Sequence, residues 1–133
     1  MSALTAEQAH AIDMAREVYA FDAELAKRAV ACKAWRWMDG MLDHLGRSRT
    51  HGPGCDLLPW LEDPATLGCL VALVREAHGL SRLCSFWDGE DDMWVIVLFD
   101  ADNLFLRVGI PGVGWCHGAT EAEAWVAALE AAP

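Results

Sequence analysis

The sequence predicts an α+β fold: a long N-terminal helix, a second, central helix, a three- to four-stranded antiparallel β-meander, and a C-terminal helix packed on the sheet. Three observations point to it. Apolar residues recur at helical spacing early in the chain, as in Met14, Val18, Phe21 and Leu25. From Ser81 the pattern changes to short apolar runs divided by turn residues, the signature of a hairpin series. Thr120-Glu121-Ala122-Glu123 then opens a final helix with a capping box, in which Thr120 accepts from the Glu123 amide and Glu123 reaches back to the cap.

Each element follows from local chemistry. The first helix is expected over residues 5–33, with Thr5 as cap, Glu7 and Gln8 in the first turn, and Ala29 and Cys32 continuing the apolar stripe. Ile12, Tyr19, Ala26 and Val30 widen that face, while Asp13, Arg16, Glu17, Lys27 and Arg28 stay wet. Trp35 and Trp37 are two residues apart and share a side only in an extended segment. Residues 46–59, centred on Gly52-Pro53-Gly54, read as a loop.

Asp63 and Pro64 suit the cap and first position of the second helix, Gly79 its end, and Leu67, Leu70, Val71 and Val74 its stripe. Because Cys69 and Leu73 are apolar too, a central place is expected for it. Residues 83–87, 93–99 and 104–108 read as strands, with Asp88-Gly89 and then Asp100-Ala101-Asp102-Asn103 as turns. Residues 113–116 add a short edge strand after the Gly109-Ile110-Pro111-Gly112 interruption. In the last helix Trp125, Ala128 and Leu129 form the apolar face.

Composition sets the class. Of 133 residues, 54% are apolar and seven are tryptophan, enough for one core, so residues 1–133 are read as a single domain. A chain of this length buries roughly 65–70% of its unfolded surface and needs no staples. The net charge of −10 is uneven: from Leu80 onward nine acids face two bases. Such a field repels nucleic acid and anionic membranes and favours basic partners, although acidity also keeps a Trp-rich chain soluble. The five cysteines, Cys32, Cys55, Cys69, Cys84 and Cys116, are an odd set without a C-x-x-C pair. With no apolar run of membrane-spanning length and a polar stretch over residues 2–11, a reduced, cytoplasmic location in a bacterial host cell is expected.

Three groups of residues are candidates for function. The first is acidic: Asp88, Glu90, Asp91 and Asp92, with Asp100 and Asp102 in the next turn. It is either a solvated turn or a negative binding surface; successive turns of a meander lie at opposite ends, so the two halves flank the sheet. It lacks the Asp-x-Asp-x-Asp-Gly register of a calcium loop. The second is Trp35, Arg36 and Trp37, which form either core or an aromatic recognition surface. The third is Cys32, His44, His51 and Cys55, which carry zinc-binding atoms, although only His51 and Cys55 are closely spaced. Cys116 and His117 are adjacent, which rarely aims two side chains at one centre. Phosphate-loop, dinucleotide, nucleophile-elbow and zinc-protease motifs are all missing, so no catalytic residue and no cofactor are assigned.

Three blocks carry a resemblance. Ala31-Cys32-Lys33-Ala34-Trp35-Arg36-Trp37-Met38 with Gly40-Met41, the Asp63-Pro64-Ala65-Thr66-Leu67-Gly68-Cys69-Leu70 run continuing to Ala77, and the stretch from Ala119 to Glu130 resemble small uncharacterised phage and prophage proteins. The segment between the first two blocks is shorter here, and Asp39 stands where proline is expected. The resemblance implies context rather than catalytic residues. The meander followed by a Thr-capped helix is also similar, at the level of fold alone, to partial-barrel antitoxins of HicB type.

The function these readings support is a non-enzymatic phage or prophage accessory protein that binds another protein. One form is an acidic inhibitor of a host nucleic-acid-binding defence factor, anti-CRISPR-like or otherwise counter-defence. The expected partner is a host or phage protein with a basic nucleic-acid-binding surface, with neither nucleic acid nor membrane bound directly. The alternatives are a zinc- or thiol-dependent small protein and a homodimeric structural module with Trp35 or Trp37 between subunits.

Overall fold

The computed structural model describes residues 5–7, 21–47, 57–99 and 107–133. Within them the chain is mixed α+β, with three helices and an antiparallel sheet. Helix α1 spans Ala23–Val30, α2 Pro64–His78 and α3 Glu121–Glu130. No helix among the described residues is long and apolar enough to cross a membrane.

One continuous helix over residues 5–33 is not formed. Asp22 is extended (φ −107°, ψ 102°), and its carboxylate accepts from the Leu25 amide at 3.1 Å, so it caps a new helix. The stripe through Phe21 conceals this start, because an Asp side chain can compete for the backbone amides that a through-helix would use. Downstream, Leu25, Ala26 and Ala29 are buried and Lys27 and Arg28 are exposed, as the periodicity predicts. The helix ends at Val30, and residues 35–38 run outside any helix. The upstream stripe residues 8–20 lie outside the described residues.

Helix α2 starts and stops as its residues predict. The Asp63 carboxylate accepts from both the Thr66 amide and the Thr66 hydroxyl at 3.0 Å. At the other end Gly79 is left-handed (φ 65°), Gly79 N–H donates to Glu76 O, and Leu80 N–H donates to Arg75 O at 2.9 Å, a Schellman closure. Thr66 is fully buried, and its hydroxyl also accepts from Leu42 N–H at 2.8 Å, which ties the preceding segment to the helix start. Thr66→Val keeps the shape but strands both the Leu42 amide and an Asp63 lone pair. It should cost about 1–3 kcal/mol, read as a lowered urea midpoint with an unchanged m-value.

Part of the expected 46–59 loop is ordered pairing. Trp60 N–H donates to Leu42 O, His44 N–H donates to Leu58 O, and Asp43 bridges Pro59. Residues 48–56 lie outside the described residues.

The sheet is built on β2 (Met93–Phe99). Strand β1 (Leu83–Asp88) runs antiparallel along one edge, with Asp88 opposite Met93 and Leu83 opposite Leu98. The other edge carries β3 (Arg107–Val108) at Leu98–Phe99 and β4 (Cys116–Gly118) at Trp94–Ile96. Strands β3 and β4 thus lie end to end as one edge strand, interrupted by a tight excursion closed by the Ile110–Gly114 bridge. The edge strand expected at 113–116 therefore begins later, at Cys116, because Gly112 (φ 78°) and Gly114 (φ 95°) turn the chain through left-handed conformations first. A side chain on Gly109 would sit 2.8 Å from the Gly114 carbonyl carbon, so the base of the excursion needs a glycine.

The central place expected for the second helix is taken by α3. It packs on β1, β2 and β4 and also against α1 and α2. Ala122, Ala124, Trp125, Val126, Ala128 and Leu129 are buried around its circumference, whereas α2 buries only Thr66, Leu70, Leu73 and Val74. Four of the six α3 residues are small or β-branched, which lets neighbours approach from several sides. Long-range bonds hold α3 in place: His78 Nε2 donates to Ala128 O at 2.7 Å, and Ser85 Oγ donates to Glu121 at 2.6 Å. Its capping box is modified. Thr120 accepts from the Glu123 amide at 3.1 Å, but the Glu123 carboxylate takes the Ala119 amide rather than that of Thr120.

Candidate functional site

Alternation along the strands divides the sheet into two faces. The rows Ser85–Ile96–Cys116 and Leu83–Leu98 turn toward α3 and the core. The row Phe86–Val95–His117 turns the other way, with Val97 beside it on the same face. This outer face forms a groove of about 320 Å³ lined by Phe86, Asp88, Val95, Val97, Trp115 and His117. Its floor is deep, Val95 and Val97 being 4% and 1% exposed, while Phe86 and Trp115 stand 36% and 50% exposed at its sides. Phe86 and Trp115 thus present aromatic surface to solvent on a strongly charged chain.

The β1–β2 hairpin adjoins the groove through Asp88, which both ends β1 and lines the groove. Asp88 Oδ1 accepts from Glu90 N–H at 3.0 Å and shapes the turn. Asp92 is left-handed (φ 51°), a conformation aspartate tolerates better than most side chains. Glu90, Asp91 and Asp92 are exposed, and among the described residues none of the four acids makes an ion pair. Four carboxylates in five residues thus set a local negative potential that reaches about 8 Å at physiological ionic strength. Trp87, 44% exposed, stands beside them with its ring edge-on to Trp94 at 5.7 Å. Asp100 and Asp102 lie outside the described residues.

The other candidates are placed differently. Trp35 and Trp37, outside any helix, make an edge-to-face pair at 5.7 Å, and both are half-buried against the core. Arg36 between them is exposed, but its guanidinium is held by Glu76 at 2.6 Å. Cys32 donates its thiol to Arg28 O, whereas His44 stacks on Phe21 and accepts from Leu58 N–H through Nδ1. Among the described residues no three His, Cys, Asp or Glu side chains converge as a metal site would require. His51 and Cys55 lie outside the described residues. Burial pushes the thiols of Cys32, Cys69 and Cys116 up, the opposite of what an activated nucleophile needs. Cys116 faces inward and His117 outward, so the adjacent pair does not share a centre.

No protein-family profile, curated protein or solved structure matches the chain.

Two features escaped the sequence. One is the outer groove. Its signal was available in Met93-Trp94-Val95-Ile96-Val97-Leu98-Phe99, an apolar run with no polar alternate, which implies that neither face of β2 is simply wet. The other is Asp43, fully buried, whose carboxylate accepts from the Leu45 and Arg47 amides at 2.9 and 3.1 Å. Nothing in its neighbourhood distinguishes it from a surface aspartate.

Proposed function

We propose that this chain is a non-enzymatic phage or prophage accessory protein of the bacterial cytoplasm that binds another protein through the β1–β2 hairpin and the adjoining sheet face. The observation that carries this reading is the juxtaposition of four carboxylates, without ion pairs among the described residues, with the exposed Phe86 and Trp115 of the outer face. Charges of one sign give long-range attraction and orientation, and aromatic side chains give short-range affinity. The partner favoured by that combination has a basic surface, as nucleic-acid-binding proteins do, and covering it would block nucleic acid. A counter-defence role, anti-CRISPR-like or against another host nuclease, is one biological form of this. Self-association through the same face is disfavoured, because it would bring like-charged hairpins of two −10 chains together.

The test is capture of a partner from host lysate by the tagged protein at low and high salt, followed by affinity measurement with Glu90→Gln, Asp91→Asn and Asp92→Asn combined. A basic partner is expected whose affinity falls steeply with salt and by about tenfold or more in the triple variant. Affinity unchanged in the triple variant sinks the acidic-surface reading.

A further inference from the structure

We infer that the outer-sheet groove is a receptor for a single arginine side chain presented by a basic segment of the partner, an inference that rests on the protein-binding reading above. At about 320 Å³ the groove is at the small end of ligand sites and suits one long side chain better than a cofactor. Its accessible lining has two chemistries in one place. Phe86 and Trp115 offer ring surfaces at the sides and Asp88 offers a carboxylate, while Val95 and Val97 behind them are buried.

An arginine answers both. Its methylene stem can lie along the exposed rings while the head stays polar, and its planar guanidinium stacks on aromatic faces and forks onto carboxylates. Asp88 has capacity for it, because Oδ1 holds the Glu90 amide and no hydrogen bond among the described residues uses Oδ2. A purely apolar side chain would cover the rings but leave Asp88 desolvated without a partner, which is costly. A lysine would reach the carboxylate but stack less well and make no fork. Further bases of the same segment would face Glu90, Asp91 and Asp92 on the hairpin.

The experiment uses three capped peptides, Gly-Arg-Gly, Gly-citrulline-Gly and Gly-norleucine-Gly, titrated into ¹⁵N-labelled protein at low salt. The Trp115 indole resonance is assigned with Trp115→Phe, a change at a half-exposed position that folding should tolerate. The expected result is a saturating shift of the Trp115 indole and of the Asp88 and His117 amides with the arginine peptide alone. Affinity should fall about tenfold or more in Asp88→Asn, and much less in the Glu90, Asp91 and Asp92 triple variant. Shifts spread over the acidic surface without Trp115 overturn the inference. So does equal binding of the citrulline or norleucine peptide, or a concentration-dependent shift without peptide, which would mean that a second copy fills the groove. Partner capture separates this from the broader reading. A captured partner indifferent to Trp115→Phe and Asp88→Asn removes the groove but leaves the acidic surface in place. Specific arginine binding without any basic partner leaves the groove and removes the inhibitor role.

Discussion

Trp125→Ala should cost about 3–5 kcal/mol, the usual range for deleting a buried aromatic, and lower the melting temperature by on the order of 10–20 °C. Trp125 is 1% exposed at the centre of α3, in the cluster that also holds Leu25, Leu70, Leu83 and Ile96. That cluster joins α1, α2 and the sheet to α3, so loss of its largest α3 side chain leaves a cavity in packing that several elements share. With a total stability of about 5–15 kcal/mol for a domain, that is a large fraction. Trp125→Phe tests the mechanism. The indole Nε1–H is buried without a hydrogen-bond partner among the described residues, so replacing it with a ring that has no donor recovers its desolvation cost. The phenylalanine variant should lose less than half of what the alanine variant loses in a chemical-denaturation series. Equal losses would mean that refilling the cavity with a smaller ring restores nothing, against the cavity account of this position.

Gly118→Ala is expected to damage both the fold and the groove. A Cβ at Gly118 would clash with the Ala124 amide nitrogen and lie 2.7 Å from the Glu123 carbonyl carbon. Those are backbone atoms of α3, so neither can swing away, and either the helix or β4 must shift. Overpacking typically costs about 1–3 kcal/mol and occasionally more; with backbone as the obstacle, about 3 kcal/mol is expected. Because β4 carries His117 next to Gly118 and follows directly on Trp115, the same shift should move the Trp115 indole resonance. Gly112→Ala is the control. Gly112 has positive φ but nothing within 4 Å of its missing Cβ, so it should cost only the roughly 1–2 kcal/mol of a left-handed residue. That variant should also leave arginine-peptide binding alone.

The acidic hairpin was legible because its chemistry is local. Asp88, Glu90, Asp91 and Asp92 are close in sequence, a turn must expose them, and a turn was required between two apolar runs. The groove was not legible, because it is assembled from Phe86, Val95, Trp115 and His117, which meet only through strand register. A register offset by one would turn each of those side chains to the other face. Glu123 was misread in a subtler way: its residue type was right for capping, but the amide it serves depends on how the chain before Thr120 arrives. Asp22 caps its own local Leu25 amide, but it was hidden inside an unbroken apolar stripe.

What the sequence determined by itself are the features closed by interactions a few residues long. These are the α+β class, the change of period at Ser81, the span of β2, and the start and stop of α2 at Asp63 and Gly79. They also include the Thr120 start of α3 and the charge of the hairpin tip. Caps and turns pair a side chain with an amide within one helical turn, so composition and spacing suffice to read them. Only the tertiary structure decided that α3 and not α2 is central, that Trp35 and Trp37 lean on the core while Trp87 and Trp115 face solvent, and that Asp88 opens onto a groove. Depth and facing depend on contacts between residues tens of positions apart. A tryptophan has the same local signature whether or not another element arrives to cover it.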